Sequence, residues 1–276
     1  MGLRISTNVS SINAQRSLAG SQREIEKSFA QLSSGSRITK SADDAAGLSI
    51  SEGLKGQIRS YGQSKRNAMD ATSLVQVSEG GLNEISNILT RFRELGIQAA
   101  SDTIGERERS FIDKEVQQLK AELDRIAQTT RFGSIQLLNG TGGQFDFQVD
   151  INNTENDRIS FDSTQQDASA SNLGVEGLDY TTKDGAKEAL DIVDTAQVQV
   201  NEYRASLGAL QNRLYSTQDY LGIAEENLSA ANSRIRDTDI AQATADLAKN
   251  NILLNASNSI LQQANNFPAM ALKLLN

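Results

Sequence analysis

A mainly α fold is predicted: a long antiparallel bundle of coiled-coil-like helical rods with one small β-hairpin region. Three observations predict it. Two stretches carry a seven-residue apolar ladder, Leu54, Tyr61, Ala68, Val75, Leu82, Leu89 and Val193, Val200, Leu207, Leu214, Leu221, Leu228, Ile235. Companion rows run beside them, Ala71, Ser78, Ile85, Phe92, Ala99 and Ala189, Ala196, Tyr203, Leu210, Thr217, Ala224, Ala231, which is the seam of a long helix packed on other long helices. The chain of 276 residues holds a single proline, so little interrupts such helices. Between the ladders the period changes to two.

The elements follow in order. Residues 1–40 read as one helix with Ile5, Val9, Ile12, Leu18, Ile25, Phe29 and Leu32 on its seam, the register slipping by one between Ile12 and Leu18. Ser33-Ser34-Gly35-Ser36 breaks it, and Asp43-Asp44-Ala45-Ala46-Gly47 opens a rod ending near Ala100. Each ladder helix is about 65 Å long at roughly 1.5 Å per residue. Ser101–Gly105 turns the chain into a helix over about 106–128, with Ile112, Val116, Leu119, Leu123 and Ile126 inward. Phe145, Phe147, Val149 and Ile151 then alternate strictly, and Ile159 and Phe161 answer them across the polar turn Asn152–Asp157, a hairpin. Residues 163–187 read as loop plus a short strand, with Leu173, Val175 and Leu178 to bury. The return helix begins near Lys187. Asp237 and Asp239 suit the cap and first turn of a final helix over 237–275, whose seam is Ile240, Leu247, Leu254, Leu261 with Leu253, Ile260, Phe267 alongside. Asn250 and Ser257 sit within that seam and can fix register at some cost in stability. Two domains are expected: 1–42 with 237–276, and 43–236 including the 140–186 hairpin and loop.

Composition narrows the function. Cysteine and histidine are both absent, which removes thiolate chemistry, zinc–thiolate sites, histidine acid–base catalysis and the Ser-His-Asp arrangement. No catalytic, cofactor-binding or metal constellation replaces them, so no enzyme and no cofactor are expected. Asp150, Asn152, Thr154 and Asn156 alternate like a calcium loop, but Glu155 stands where glycine is needed and Phe161 where a bidentate Glu is needed. A hairpin turn accounts for them better, and a turn-and-cap role accounts for Asp43-Asp44. No apolar run spans a membrane, and Met1-Gly2 with Ser6 fits only the loose myristoylation pattern. The net charge of −8 is unevenly spread. The first forty residues are basic (Arg4, Arg16, Arg23, Lys27, Arg37 and Lys40 against Glu24 and Glu26), and the acid is concentrated in 41–240. Such a body repels nucleic acid. The end helices are rich in Ser, Asn, Gln and Ala. They are expected to be marginal alone and unable to bury their seams within one subunit, so that association completes them.

Several runs resemble bacterial flagellin. Ile5-Ser6-Thr7-Asn8, Leu32–Ile38 and Asp43–Ile50 resemble the N-terminal signature of that family; Leu207–Leu214, Asn227–Asp239 and Gln263–Leu275 resemble its C-terminal one. The resemblance covers roughly 1–138 and 188–276. It implies an extracellular structural subunit that polymerises into the helical flagellar filament for motility. It also implies type III export as an unfolded chain, a C-terminal export chaperone, addition at the distal tip beneath a cap, and hook-associated junction proteins as neighbours. The terminal helices would pair as a coiled coil lining the lumen. The polymerisation seam would be Ile5, Val9, Ile12, Leu18, Ile25, Leu32, Ile240, Leu247, Leu254 and Leu261. With about 50 residues between the matching blocks, the form is a minimal one without large outer domains. The stretch around Arg91 resembles the surface read by a flagellin-sensing Toll-like receptor, implying Arg91, Leu95 and Glu115 as contacts; from the residues alone it reads as a second packing seam, with Gly96-Ile97 and Thr90 departing from the family pattern. Two alternatives remain: a hook-filament junction protein, and a secreted helical effector or adhesin.

Overall fold

A computed structural model describes residues 7–273, with side chains described as far as Asn266. Five long helices, α1 Val9–Ser34, α2 Ala45–Ala99, α3 Glu106–Thr129, α4 Lys183–Arg236 and α5 Ile240–Lys273, carry most of the chain. Four short strands, β1 Arg131–Phe132, β2 Ile135–Gln136, β3 Gln144–Gln148 and β4 Arg158–Asp162, lie between α3 and α4. The chain divides into two compact units, Met1–Gln57 with Asn227–Asn276, and Ile58–Glu226. The divisions fall inside α2 and α4, each of which is one unbroken helix across the boundary.

In the Ile58–Glu226 unit the ladders become a core. Ala68, Val75, Leu82 and Leu89 of α2 are buried with Ala71, Ile85, Phe92 and Ala99, against Val193, Val200, Leu207 and Leu214 of α4 and Ile112, Val116 and Leu123 of α3. Ser78 is tolerated in that seam because its hydroxyl donates to the Leu74 carbonyl one turn back (3.2 Å). The C-terminus of α2 is closed by Arg109, a buried guanidinium that donates from Nε to the Ala99 carbonyl (2.8 Å) and from Nη2 to that of Ser101 (3.0 Å). Cations suit that end of a helix.

The hairpin pairs β3 with β4 in antiparallel register, Phe145 opposite Phe161 and Phe147 opposite Ile159, and the first pair of rings stacks at 6.3 Å. The first strand ends at Gln148, short of Ile151, where the Asp150 carboxylate accepts from the Ile151 N–H (2.7 Å) and bends the chain. A second, two-residue pairing of β1 with β2 has no counterpart in the sequence reading; Gly133, at φ +63°, supplies its turn.

Residues 166–182 hold no strand. One face of α3 holds this loop instead. The Asp124 carboxylate accepts from the Ala170 N–H (2.8 Å), Lys120 Nζ donates to the Glu176 carbonyl (2.8 Å), and the Asp113 carboxylate accepts from the Tyr180 N–H (3.3 Å). Spacings of seven and four put Asp113, Lys120 and Asp124 on one stripe. Besides Leu173, Val175 and Leu178 the loop buries Tyr180, whose hydroxyl donates to the Phe92 carbonyl (3.1 Å) and whose pKa is driven up by burial.

In the other unit α1 lies along α5. The helix predicted over 1–40 is shorter. Asn8 caps it by accepting from the Ser11 N–H (3.1 Å), and Gly35, in the left-handed region at φ +67°, ends it.

Candidate assembly surfaces

Two turns of the Met1–Gln57 and Asn227–Asn276 unit are tied together where α1, α2, α4 and α5 begin or end. Ser36 pairs with Asp237 in an antiparallel bridge, flanked by bonds from the Arg37 N–H to the Arg236 carbonyl (2.6 Å) and from the Thr238 N–H to the Gly35 carbonyl (2.9 Å). The Arg37 guanidinium donates to the Ile235 carbonyl (2.8 Å), closing the C-terminal end of α4. Arg236 is paired with Glu52, and Asp44 accepts from the Gly47 N–H (2.8 Å) at the start of α2. Gly47 has no room for a side chain: a Cβ there would lie 2.9 Å from the Ile38 side chain, which is itself buried. Asp43 accepts from the Lys40 and Thr39 N–H groups and the Thr39 hydroxyl, bonds that hold its carboxyl below the ordinary carboxylate range. The runs 32–38, 43–50 and 227–239 singled out in the sequence thus meet in one clasp.

From the clasp α1 and α5 run side by side, and here the predicted polymerisation seam separates into two sets. Leu18, Ile25 and Leu32 of α1 and Leu247, Leu254 and Leu261 of α5 are half-buried where the two helices face one another, together with the buried Ser11, Ala14, Ser28, Ala243 and Ala264. With the half-buried Ser21, Asn250 and Ser257 they recur at three and four without a slip. The slip in the sequence arose from counting Val9 and Ile12, which lie in solvent, in place of the small residues that make the seam. Ile240 is exposed as well, and Ile5 lies outside the described residues. The expectation that one subunit cannot bury these seams is therefore corrected, because α1 and α5 bury that row against each other. What stays in solvent is a set of large apolar side chains off that seam: Phe29 (66 % exposed) with Val9 and Ile12 on α1, and Ile252 (69 % exposed) with Leu253 and Ile260 on α5. The sequence had placed Leu253 and Ile260 beside the seam; nothing had singled out Ile252.

The predicted contact surface around Arg91 holds two of its three members. Arg91 donates to Glu94 (2.9 Å) and Glu115 (2.8 Å), which bridges α2 to α3 on the outer face and raises the Arg91 pKa, Glu94 contributing most. Leu95 is not with them. It is 2 % exposed in the core beside Phe92, three residues away on the same stripe, so it cannot serve as an outer contact of the subunit. Gly96 backs onto α4, where a Cβ would lie 2.8 Å from Leu190 and 3.2 Å from the Tyr180 ring.

The N-terminal helical region of bacterial flagellin matches residues 5–142 and the C-terminal helical region matches 190–275. The chain belongs to the bacterial flagellin family. A flagellin of Halalkalibacterium halodurans is 41 % identical over 98 % of this chain and 99 % of its own length, and a flagellar filament core protein of Brachyspira hyodysenteriae is 38 % identical over the same shares. The crystal structure of Bacillus cereus flagellin superposes with a TM-score of 0.51 at 30 % identity, over 56 % of this chain and 88 % of that one. Membership makes the chain a structural subunit of a self-polymerising filament that lies outside the cell. The segment between the two matched regions holds both β3 and β4 and the loop bound to α3. No helix among the described residues is long and apolar enough to cross a membrane.

Proposed function

We propose that this filament subunit is exported unfolded through the flagellar type III apparatus, guarded at its C-terminal end by a chaperone, and added at the distal tip beneath a cap. In the filament α1 and α5, within 1–42 and 237–276, form the inner, lumen-lining coiled coil, and 43–236 forms the shell around it. Hook-associated junction proteins meet the first subunits through the same inner helices.

The apolar side chains left exposed on α1 and α5 carry this reading. Phe29, Ile252, Leu253 and Ile260 stand in water although the α1–α5 seam is already closed. Burying each is worth about 1.5–3 kcal/mol. A neighbouring copy gains that burial on every addition, and head-to-tail contacts that do not close produce an open helix. Removing residues 1–20 or 257–276 should leave a soluble chain that no longer sediments as filament under polymerising salt. A truncated chain that still sediments as filament overturns the reading.

Arg91 and Glu115 form the outer surface we assign to a flagellin-sensing Toll-like receptor, and the same face meets the next subunit in the filament. Leu95 supports that surface from beneath. Arg91→Glu should weaken both receptor signalling and polymerisation; ordinary filaments from this variant would sink the shared-surface assignment.

A further inference from the structure

The α1–α5 seam has an order that its composition hides. Two pins fix the level of one helix against the other. At the clasp Ser36 pairs with Asp237, and at the far end Asn8 Nδ2 donates to the Ala264 carbonyl (2.8 Å) while Ser11 Oγ donates to Asn265 Oδ1 (2.8 Å). Between the pins both helices are unbroken. Stepping along the antiparallel pair therefore sets Leu32 level with Ala243, Ser28 with Leu247, Ile25 with Asn250, Ser21 with Leu254, Leu18 with Ser257 and Ala14 with Leu261. Every one of these positions is buried or half-buried. Each layer joins one large aliphatic residue to one small or short polar one, and the large residue changes helix at every step.

We infer that this alternation of size is what fixes the register and direction of α1 against α5. A slip of one layer would set Leu18 against Leu254 and leave Ser21 against Asn250, overpacking one level and leaving a gap at the next. A parallel pair would meet the same conflict at every layer. A slip of two layers keeps the sizes matched but breaks both pins. Ser257 thus acts by being small as well as polar, and Asn250 by setting an amide against Ile25 in place of a second aliphatic side chain. A fixed register has a consequence outside the seam: it holds Phe29 of α1 and Ile252, Leu253 and Ile260 of α5 at constant axial offsets, so every copy presents the same set. The inference concerns the subunit and does not depend on how copies associate.

The test exchanges one layer. Leu18→Ser and Ser257→Leu, each alone, should lower the yield of sedimentable polymer at least about tenfold, and the double variant should return to within about threefold of the parent, since the two sites share one contact. Single variants that polymerise like the parent, or a double variant no better than the worse single, overturn the size code. A second measurement covers variants that fail to fold. The chain has no cysteine, so Ser21→Cys with Leu254→Cys should form an intrachain disulfide at least about ten times faster than Ser21→Cys with Asn250→Cys, because the bond tolerates only a narrow Cα separation. Equal rates, or bonds only between chains, overturn the register. The rates are read on dissolved chain and on sedimented polymer alike. A parent that does not polymerise at all would count against the filament reading and leave the register test intact.

Discussion

The α1–α5 pair and the core of Ile58–Glu226 use the same seven-residue arithmetic with different side chains. In the core, large residues meet from both sides, Leu82, Leu89 and Phe92 of α2 against Val200, Leu207 and Leu214 of α4, and their exposures fall to 1 % or less. In the α1–α5 pair a leucine or isoleucine meets a serine, alanine or asparagine at each layer and stays half-exposed. The core therefore supplies folding free energy, while the pair supplies position. The end helices expose Phe29 and Ile252 to about two-thirds, on a unit whose own seam is already used.

Truncation should break this contrast most sharply. Phe92→Ala should cost about 3–5 kcal/mol of subunit stability, read by denaturant unfolding. Leu18→Ala should cost roughly 1–2 kcal/mol, since fewer methylenes leave a buried site there. Equal costs at the two positions would erase the distinction.

Gly96→Ala tests how closely the core is packed. It sets a methyl 2.8 Å from Leu190 and should cost about 1–3 kcal/mol, more than alanine's helix propensity returns. A stabilised variant would mean that Leu190 and Tyr180 give way freely. Tyr180→Phe removes only the bond to the Phe92 carbonyl and should lower stability by about 0.5–1.5 kcal/mol, with faster hydrogen exchange in residues 170–182 if the hydroxyl pins the loop.

Acid gives a gentler test. The Asp43 pKa is lowered by its bonds to Lys40 and Thr39, so its contribution is complete above the unfolded carboxylate value of about 3.9 and is lost as pH falls through the lower folded value. Asp102, held down by Lys183, and Asp162 and Asp179, held down by their threonine neighbours, carry the same sign in the other unit. Asp43→Asn should flatten the acid dependence of hydrogen exchange across residues 36–47 and leave that of residues 160–182 unchanged. The smallest effect on the subunit belongs to Ile252→Ser, within about 0.5 kcal/mol because the side chain is exposed. The same variant should lose polymer yield measurably, and an unchanged yield would remove Ile252 from the side chains used by neighbouring copies.

Where burial followed hydrophobicity, the sequence was legible. Val193, Val200, Leu207, Leu214 and Leu221 repeat at sevens and every one is buried. Phe145, Phe147, Ile159 and Phe161 alternate, and they pair in the register that alternation requires. The small half of the α1 seam escaped because Ser11, Ser21 and Ser28 do not register as apolar and Ala14 stands alone among them, although their smallness is what lets α5 approach. The loop before α4 escaped for a related reason. Asp113, Lys120 and Asp124 look like an ordinary solvated helix face until the loop backbone they bind is laid beside them.

Residue periodicity alone thus determined that the chain is a series of long helices interrupted by a short hairpin, because 3.6-residue and two-residue repeats are local properties of the backbone. The runs at 32–50 and 227–239 were equally plain as strings, and they pointed to a family. Only the tertiary structure decided which apolar side chains on the end helices are closed within the subunit and which face outward, and that Leu95 lies beneath the surface Arg91 and Glu115 share. Those outcomes depend on which helix lies opposite at each level, a relation between residues distant in the chain, more than two hundred positions for α1 and α5, that no local pattern contains.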